Sequence, residues 1–244
     1  MKRMILTLIT MMGIAAGTYA AQKTDEFTTK SGKKVTFTCI KHASIRIQYD
    51  GLEIQVDPVG MFVKPETDYA LFPKANLILI THEHHDHFDR EAIAALHSNV
   101  TTTYMNPSVY NLYHNGFALK NGEVKDYRND IRVEAVPAYN TTEGRESFHP
   151  KGRDNGYVLT LDGLRIYIAG DTEDIPEMAE LKDIDIAFLP CNQPYTMTVD
   201  QLVKAAKVIK PRVLFPYHYS NTPVNRIVMM LAGSGIDVRI RDYQ

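Results

Sequence analysis

The chain has 244 residues, 44% of them hydrophobic and 23% charged, with a formal net charge of −2. Those proportions are ordinary for a globular protein, and with no basic run beyond Lys33-Lys34 they disfavour a nucleic-acid binder. A chain of this length can bury a substantial core without disulfides or metals, so a metal here would serve chemistry rather than folding.

The first twenty residues differ from the rest. Lys2 and Arg3 are followed by an almost wholly apolar stretch from Met4 to Ala16, then by the small residues of Gly17-Thr18-Tyr19-Ala20-Ala21. This is the pattern of a secretory signal peptide cut after Ala20, with an uncleaved membrane anchor as the alternative. The apolar run is short for a bilayer span, and no cysteine near the cut offers a lipid attachment. The expectation is an exported protein, periplasmic or secreted, without a stable membrane anchor after cleavage. Residues 21–34 are polar and read as a loose lead-in, and residues 35–244 read as one domain. Cys39 and Cys191 are far apart and stand beside no histidine, so they read as separate buried thiols, a single bridge being the alternative.

Strands are expected where β-branched and aromatic residues lie between turn signals: 35–40, 44–49, 52–56, 77–80, 101–105, 131–136, 157–161, 165–169, 186–189, 213–215 and 238–240. Asp50-Gly51 and Asp162-Gly163 are hairpin turn pairs. Helices are expected over 90–97 behind Asp89 as N-cap, over 107–114, 176–181 and 223–232, each opening with proline, and over 199–209 on its apolar periodicity. This order suggests two mixed sheets with helices packed outside, an α/β layered sandwich.

The strongest chemical signal is the apolar strand Leu77-Ile78-Leu79-Ile80 running into His82-Glu83-His84-His85-Asp86-His87. Imidazole and carboxylate are the usual ligands of catalytic zinc. Five candidates within six residues exceed the need of one ion, which points to a pair of metals in a hydrolytic arrangement. A second apolar strand ends in Gly170-Asp171-Thr172, and a third in Tyr217-His218. Each also has an ordinary structural reading, a helix cap for Asp171 and a packed imidazole for His218.

The spacing His-x-His-x-Asp-His after a strand resembles the metallo-β-lactamase superfamily, and the later motifs follow in that family's order from about residue 35. The resemblance implies a four-layer αββα sandwich of two mixed β-sheets and a two-metal hydrolase. It implies that His82 and His84 bind one metal, that Asp86, His87 and His218 bind a second, and that Asp171 bridges them. The family's remaining histidine usually ends the strand before the Gly-Asp-Thr region. Here that strand ends Pro137-Ala138-Tyr139-Asn140. The candidate is instead His149, the one histidine between His114 and His218, reached through a longer loop, with Asn140 or water as the alternative. The Tyr139-Asn140 and Phe148-His149-Pro150 loop resembles a branch that includes sugar-phosphate lactonase-like proteins.

Around these residues, Asp57 is read either as the partner of a ligand histidine or as a turn residue, and His42 as a pocket liner or a packed histidine. His85 is expected to point away, His97 and His114 to lie at helix ends or on the surface, and Glu83 to take no part. Asp86 and Asp171 are the candidates to hold the nucleophile or pass a proton. Zinc is the expected metal, with manganese or iron as alternatives. The substrate is expected to be a small molecule cut at an ester, lactone or phosphoester. Arg145, Lys151 and Arg153 raise the option of an anionic group, and Tyr139, Tyr195 and Tyr219 could shape a pocket. The competing class is an iron-dependent redox enzyme or a non-catalytic metal-binding protein on the same fold.

Overall fold

The computed structural model describes residues 24–242, so the expected signal peptide, residues 1–20, lies outside the described residues. These residues form two seven-stranded mixed sheets. The first sheet runs in sequence order through β1 (Thr24–Thr28), β2 (Lys34–Lys41), β3 (Ser44–Tyr49), β4 (Leu52–Val56), β5 (Leu77–Ile80), β6 (Thr102–Met105) and β7 (Phe117–Ala118). Its strands pair antiparallel from β1 to β4 and parallel from β4 to β7.

The second sheet repeats the plan with β8 (Val124–Arg128), β9 (Ile131–Ala138), β10 (Asp154–Leu161), β11 (Leu164–Ile168), β12 (Ile186–Pro190), β13 (Val213–Tyr217) and β14 (Asp237–Val238). It is antiparallel through β11 and parallel beyond it. The expected αββα sandwich is thus the observed fold.

Strand β5 explains why this fold can carry a precise site. Leu77 and Leu79 enter the core between the sheets, whereas Ile78 and Ile80 join a separate apolar cluster with Phe88, Ile93 and Leu96. The strand is buried on both faces, as continuous apolar runs in parallel sheets are. That outer cluster is supplied by α1 (Arg90–Leu96) and α2 (Pro107–Tyr113). Asp89 caps α1 by accepting from Glu91 N and Ala92 N, and its other oxygen accepts from Gly60 N. On the other side, α3 (Val199–Ile209) and α4 (Asn225–Met230) pack into the core of the second sheet. A reciprocal capping box between Thr198 and Gln201 starts α3, satisfying two otherwise unpaired backbone groups. Between the sheets, Phe37 of β2 meets Phe188 of β12 at 5.8 Å, and Phe188 stacks on Phe215 at 4.9 Å.

Three expectations are corrected. Residues 24–28 are not a loose lead-in but an edge strand, paired with β2 from Thr24↔Thr38 to Thr28↔Lys34. The expected helix at 176–181 is a 3-10 turn, Pro176–Glu180. Short edge strands β7 and β8 were not anticipated, because Phe117–Ala118 is too brief and Val-Lys-Asp-Tyr-Arg too exposed to show a pattern. Cys39 and Cys191 are both buried and form no disulfide.

Strand β1 is polar yet firmly held. Asp25 is 6% exposed and accepts from Arg239 at 2.9 Å and from Arg241 at 2.6 and 2.7 Å, which ties the N-terminal edge of one sheet to the C-terminal end of the other. Burial works to raise the Asp25 carboxyl, but the bonds from Arg241 and Arg239 outweigh it and hold it below the ordinary carboxylate value. Asp25→Asn should therefore cost about 1.5–3 kcal/mol at neutral pH, read by urea unfolding. Folding favours the ionised form, so this stabilisation is complete above the unfolded pKa near 3.8 and fades as pH falls through the depressed folded value. The gap between wild type and variant should shrink on acidification and stay constant from pH 6 to 8.

Candidate metal centre

The parallel strands of both sheets end at one edge of the sandwich, and the histidines and carboxylates singled out above sit there. His82, His84, Asp86 and His87 follow β5, Asp171 follows β11, and His218 follows β13. Gly170 precedes Asp171 with φ of 66°, and a Cβ there would stand 2.7 Å from the Asn155 carbonyl oxygen. Only glycine fits that left-handed, close-packed position, so the Gly-Asp turn delivers Asp171 to the cluster.

Two groups of donors result. In the first, the ring nitrogens of His82, His84 and His149 lie within 4.8 Å of one another; in the second, those of His42, His87 and His218 lie within the same distance of each other and of an Asp86 oxygen. Asp171 stands between them. Its Oδ2 is 3.9 Å from His82 Nε2, 3.4 Å from His149 Nε2 and 3.3 Å from His218 Nε2, and its Oδ1 is 3.3 Å from His87 Nε2. The structure thus gathers all seven expected positions, His149 included, and adds His42. His42 Nε2 is 3.1 Å from Asp86 Oδ2.

The outer atoms of the cluster are held by hydrogen bonds. Asp57 is fully buried; its carboxylate accepts from Thr81 N at 2.8 Å and Thr81 Oγ1 at 2.6 Å, and meets His87 Nδ1 at 2.8 Å. This fixes the His87 ring so that Nε2 faces the cluster. Asn140 closes the longer loop: its backbone N–H donates to the His149 carbonyl at 2.9 Å, and its side-chain oxygen meets His149 Nδ1 at 3.2 Å. Asn140 therefore orients His149 rather than replacing it.

Sequence reasoning missed Glu173. Its carboxylate accepts from Thr141 N at 2.7 Å and Thr142 N at 2.6 Å, pinning the start of the same loop. The only signal was its place directly after Gly-Asp-Thr.

Electrostatics separate the imidazoles. Burial lowers His82 and His84 below the usual imidazole range and brings His42 down to about 4, so these rings are neutral at physiological pH. Burial would also lower His218, but the neighbouring carboxylates of Asp171 and Asp86 outweigh it and push it up to about 9. Asp86 and Asp171 are held well below the carboxylate range by the surrounding imidazoles, against burial.

A divalent cation fits this donor set. His87 Nε2, His149 Nε2, His218 Nε2 and Asp171 Oδ1 are buried and lack any hydrogen-bond partner, although each points into the cluster. Buried polar atoms are rarely left unpaired, and a bound ion is one of the few reasons for it.

A cavity of about 410 Å³ opens onto the cluster, lined by His84, His85, Asp86, Phe148, His149, Asp171, Asn192, Tyr195 and His218. Phe148 and Tyr195 meet edge to face at 5.1 Å in its wall. Tyr139 instead donates to Glu177, and Tyr219 to the Arg241 carbonyl. His85 is exposed at the rim, and His97 and His114 cap the C-terminal ends of α1 and α2. Glu83 pairs with Arg153 at 3.3 Å, away from the cluster.

Asp57→Asn would replace a charged acceptor by a neutral amide and loosen the His87 ring. Metal affinity in a chelator-competition titration should fall by about 10–100-fold, with the fold retained by circular dichroism.

The chain is similar in sequence and fold to known metal-dependent hydrolases. A profile described as "Beta-lactamase superfamily domain" matches residues 36–218. A "UPF0173 metal-dependent hydrolase" of Ligilactobacillus salivarius is 34% identical over 193 residues, covering 75% of this chain and 84% of the relative. One from Pyrococcus furiosus is 32% identical over 208 residues, covering 78% and 86%. The crystal structure of a proposed metal-dependent hydrolase from Parabacteroides distasonis superposes with a TM-score of 0.88 at 55% identity, covering 91% of this chain and 100% of that one. Igni18, a metallo hydrolase from Ignicoccus hospitalis, superposes with a TM-score of 0.71 at 26% identity, covering 85% and 95%. The chain belongs to the metallo-β-lactamase superfamily and, within it, to the UPF0173 metal-dependent hydrolase family.

Proposed function

We propose that this metal-dependent hydrolase works with two divalent ions, zinc foremost, and cleaves an ester or lactone. The observation that carries the reading is the pairing of two donor groups across one carboxylate: His82, His84 and His149 on one side of Asp171, and Asp86, His87 and His218 on the other. When bound, such ions supply hydroxide from water near neutral pH and polarise the bond under attack.

The chain's own groups do the rest. Asp171 is 3% exposed and reaches both groups, so it fixes their separation. Asp86 lines the cavity and is more accessible, which suits it to hold the attacking water and carry a proton towards the leaving group. Phe148 and Tyr195 cover one side and limit access of bulk water, which strengthens electrostatic interactions within.

The choice of bond rests on charge. Among the described residues, no lysine or arginine lines the cavity. Arg153 is bound to Asp154 at 2.7 and 2.8 Å, Lys151 to Glu177 at 3.0 Å and to the Tyr139 hydroxyl, and Arg145 to Gln193. A phosphoryl group is clamped during transfer by arginine, lysine or metal ions, and here the ions alone would have to do so. An uncharged ester or lactone is therefore the first reading, and a phosphoester or other anionic substrate the second. We further propose export, on the pattern of residues 2–21.

Elemental analysis of the purified protein should find about two zinc or manganese ions per chain, and Asp171→Ala should retain fewer than half of them. A screen of lactones, esters and phosphodiesters should then give turnover on an uncharged ester or lactone that Asp171→Ala loses by at least ~100-fold. Iron as the native metal would move the search to redox chemistry, and absence of any metal after reconstitution would end the hydrolytic reading. Mass spectrometry of protein recovered outside the cytoplasm should show a chain starting at Ala21.

A further inference from the structure

We infer that His42 is a ligand of the ion held by Asp86, His87 and His218, an inference that rests on the two-ion reading above. His42 sits in the short turn between β2 and β3, where the register of the hairpin shifts between Cys39 and Lys41. Such bulges bend a strand and re-aim a side chain. Its φ is 48°, a left-handed conformation that a hairpin turn ordinarily assigns to glycine, asparagine or aspartate. A left-handed residue other than glycine is uncommon, and this one brings an imidazole to the donor cluster.

That imidazole lies among the donors. Its Nε2 is 3.1 Å from Asp86 Oδ2, its ring centroid is 3.7 Å from that of His218 and 5.9 Å from that of His87, and all four donor atoms fall within 4.8 Å. The backbone holds the arrangement from both sheets: His218 N donates to the His42 carbonyl at 3.0 Å, and His218 itself has a φ of 46°. Two strained turns, one from each sheet, are thus bonded to each other with their rings facing the same carboxylate.

The two donor groups are consequently unequal. Among the described residues, the first offers three imidazoles and the second three imidazoles and a carboxylate, each before Asp171 is counted. With His42 as a ligand, the second group has one protein donor more than the first, so the second ion is the one the chain holds more tightly.

The alternative is that His42 only donates a hydrogen bond to Asp86. His42→Asn separates the two, because asparagine tolerates positive φ and keeps a donor while deleting the imidazole. Metal-stripped wild type is titrated with zinc against a chromophoric chelator and, in parallel, with cobalt(II), whose visible absorption reports the number of ligands. The wild type should take up two equivalents. His42→Asn, folded by circular dichroism, should bind one of them at least roughly tenfold more weakly and change the cobalt spectrum of that step. In His42→Gly, added imidazole should restore both. Native affinity and an unchanged spectrum for both equivalents in His42→Asn would overturn the assignment while leaving the two-ion reading intact. A wild type that takes up one equivalent would overturn both.

Discussion

The whole edge of the sandwich depends on one buried carboxylate that binds no substrate. Asp57 directly follows β4 and has no exposed surface, and it satisfies the Thr81 backbone, the Thr81 hydroxyl and the His87 ring at once. A charge in such a place is tolerable only when fully hydrogen-bonded. That requirement couples three things: the register of β4 against β5, the point where β5 stops, and the direction of the His87 imidazole. The backbone N–H of Asp57 donates to the Leu79 carbonyl, so the same residue also continues the parallel ladder. A shift of β5 by one residue would exchange Leu77 and Leu79 for Ile78 and Ile80 across its faces and carry the histidines away from Asp57.

The second sheet is fitted to the first at the same edge. Asn155 N donates to the Thr81 carbonyl, and the Tyr157 hydroxyl to the Ile80 carbonyl, so the last two residues before His82 are tied to β10. Each sheet has antiparallel strands first and parallel strands after. Parallel strands bring their C-terminal ends to a common edge, which is where ligands collect in open α/β sheets. Here two such edges abut, and Asp171 from one reaches imidazoles from both. A donor set divided into two groups around one carboxylate follows naturally from two sheets that each deliver part of it.

What could be read from the sequence was whatever is written locally. The apolar run of β5 leads into alternating histidines that the structure gathers in one cluster, and the apolar periodicity of α3 gives that helix its observed bounds, 199–209. His149 was expected because the family resemblance calls for one more histidine and this is the one between His114 and His218. The rest acts across long separations. Glu173 pins Thr141 and Thr142, Asn140 turns His149, and Thr81 links Asp57 to the cluster, all through hydrogen bonds between residues distant in sequence that leave no local pattern. Strand β1 was hidden for a related reason. Its buried residue is Asp25, an acid whose partners Arg239 and Arg241 lie at the far end of the chain.

Three residues of this edge, His42, Asp57 and His218, have φ between 41° and 48°. Left-handed backbone disfavours L-residues by roughly 1–2 kcal/mol each, and such outliers persist only when their surroundings over-determine them. Here the surroundings do: His218 N is bonded to the His42 carbonyl, Asp57 N to the Leu79 carbonyl, and the Asp57 carbonyl accepts from Ser44 Oγ at 2.6 Å. Each strained residue ends a strand or fills a turn whose regular continuation would carry its side chain away from the cluster. The core between the sheets, built around Phe37, Phe188 and Phe215, is what makes this tolerable. Stability is concentrated in the apolar interior and strain in the polar rim. The strained residues share their positions with the groups that converge on Asp86 and His87, so relaxing the backbone with glycine or asparagine would remove the side chains that the strain exists to aim.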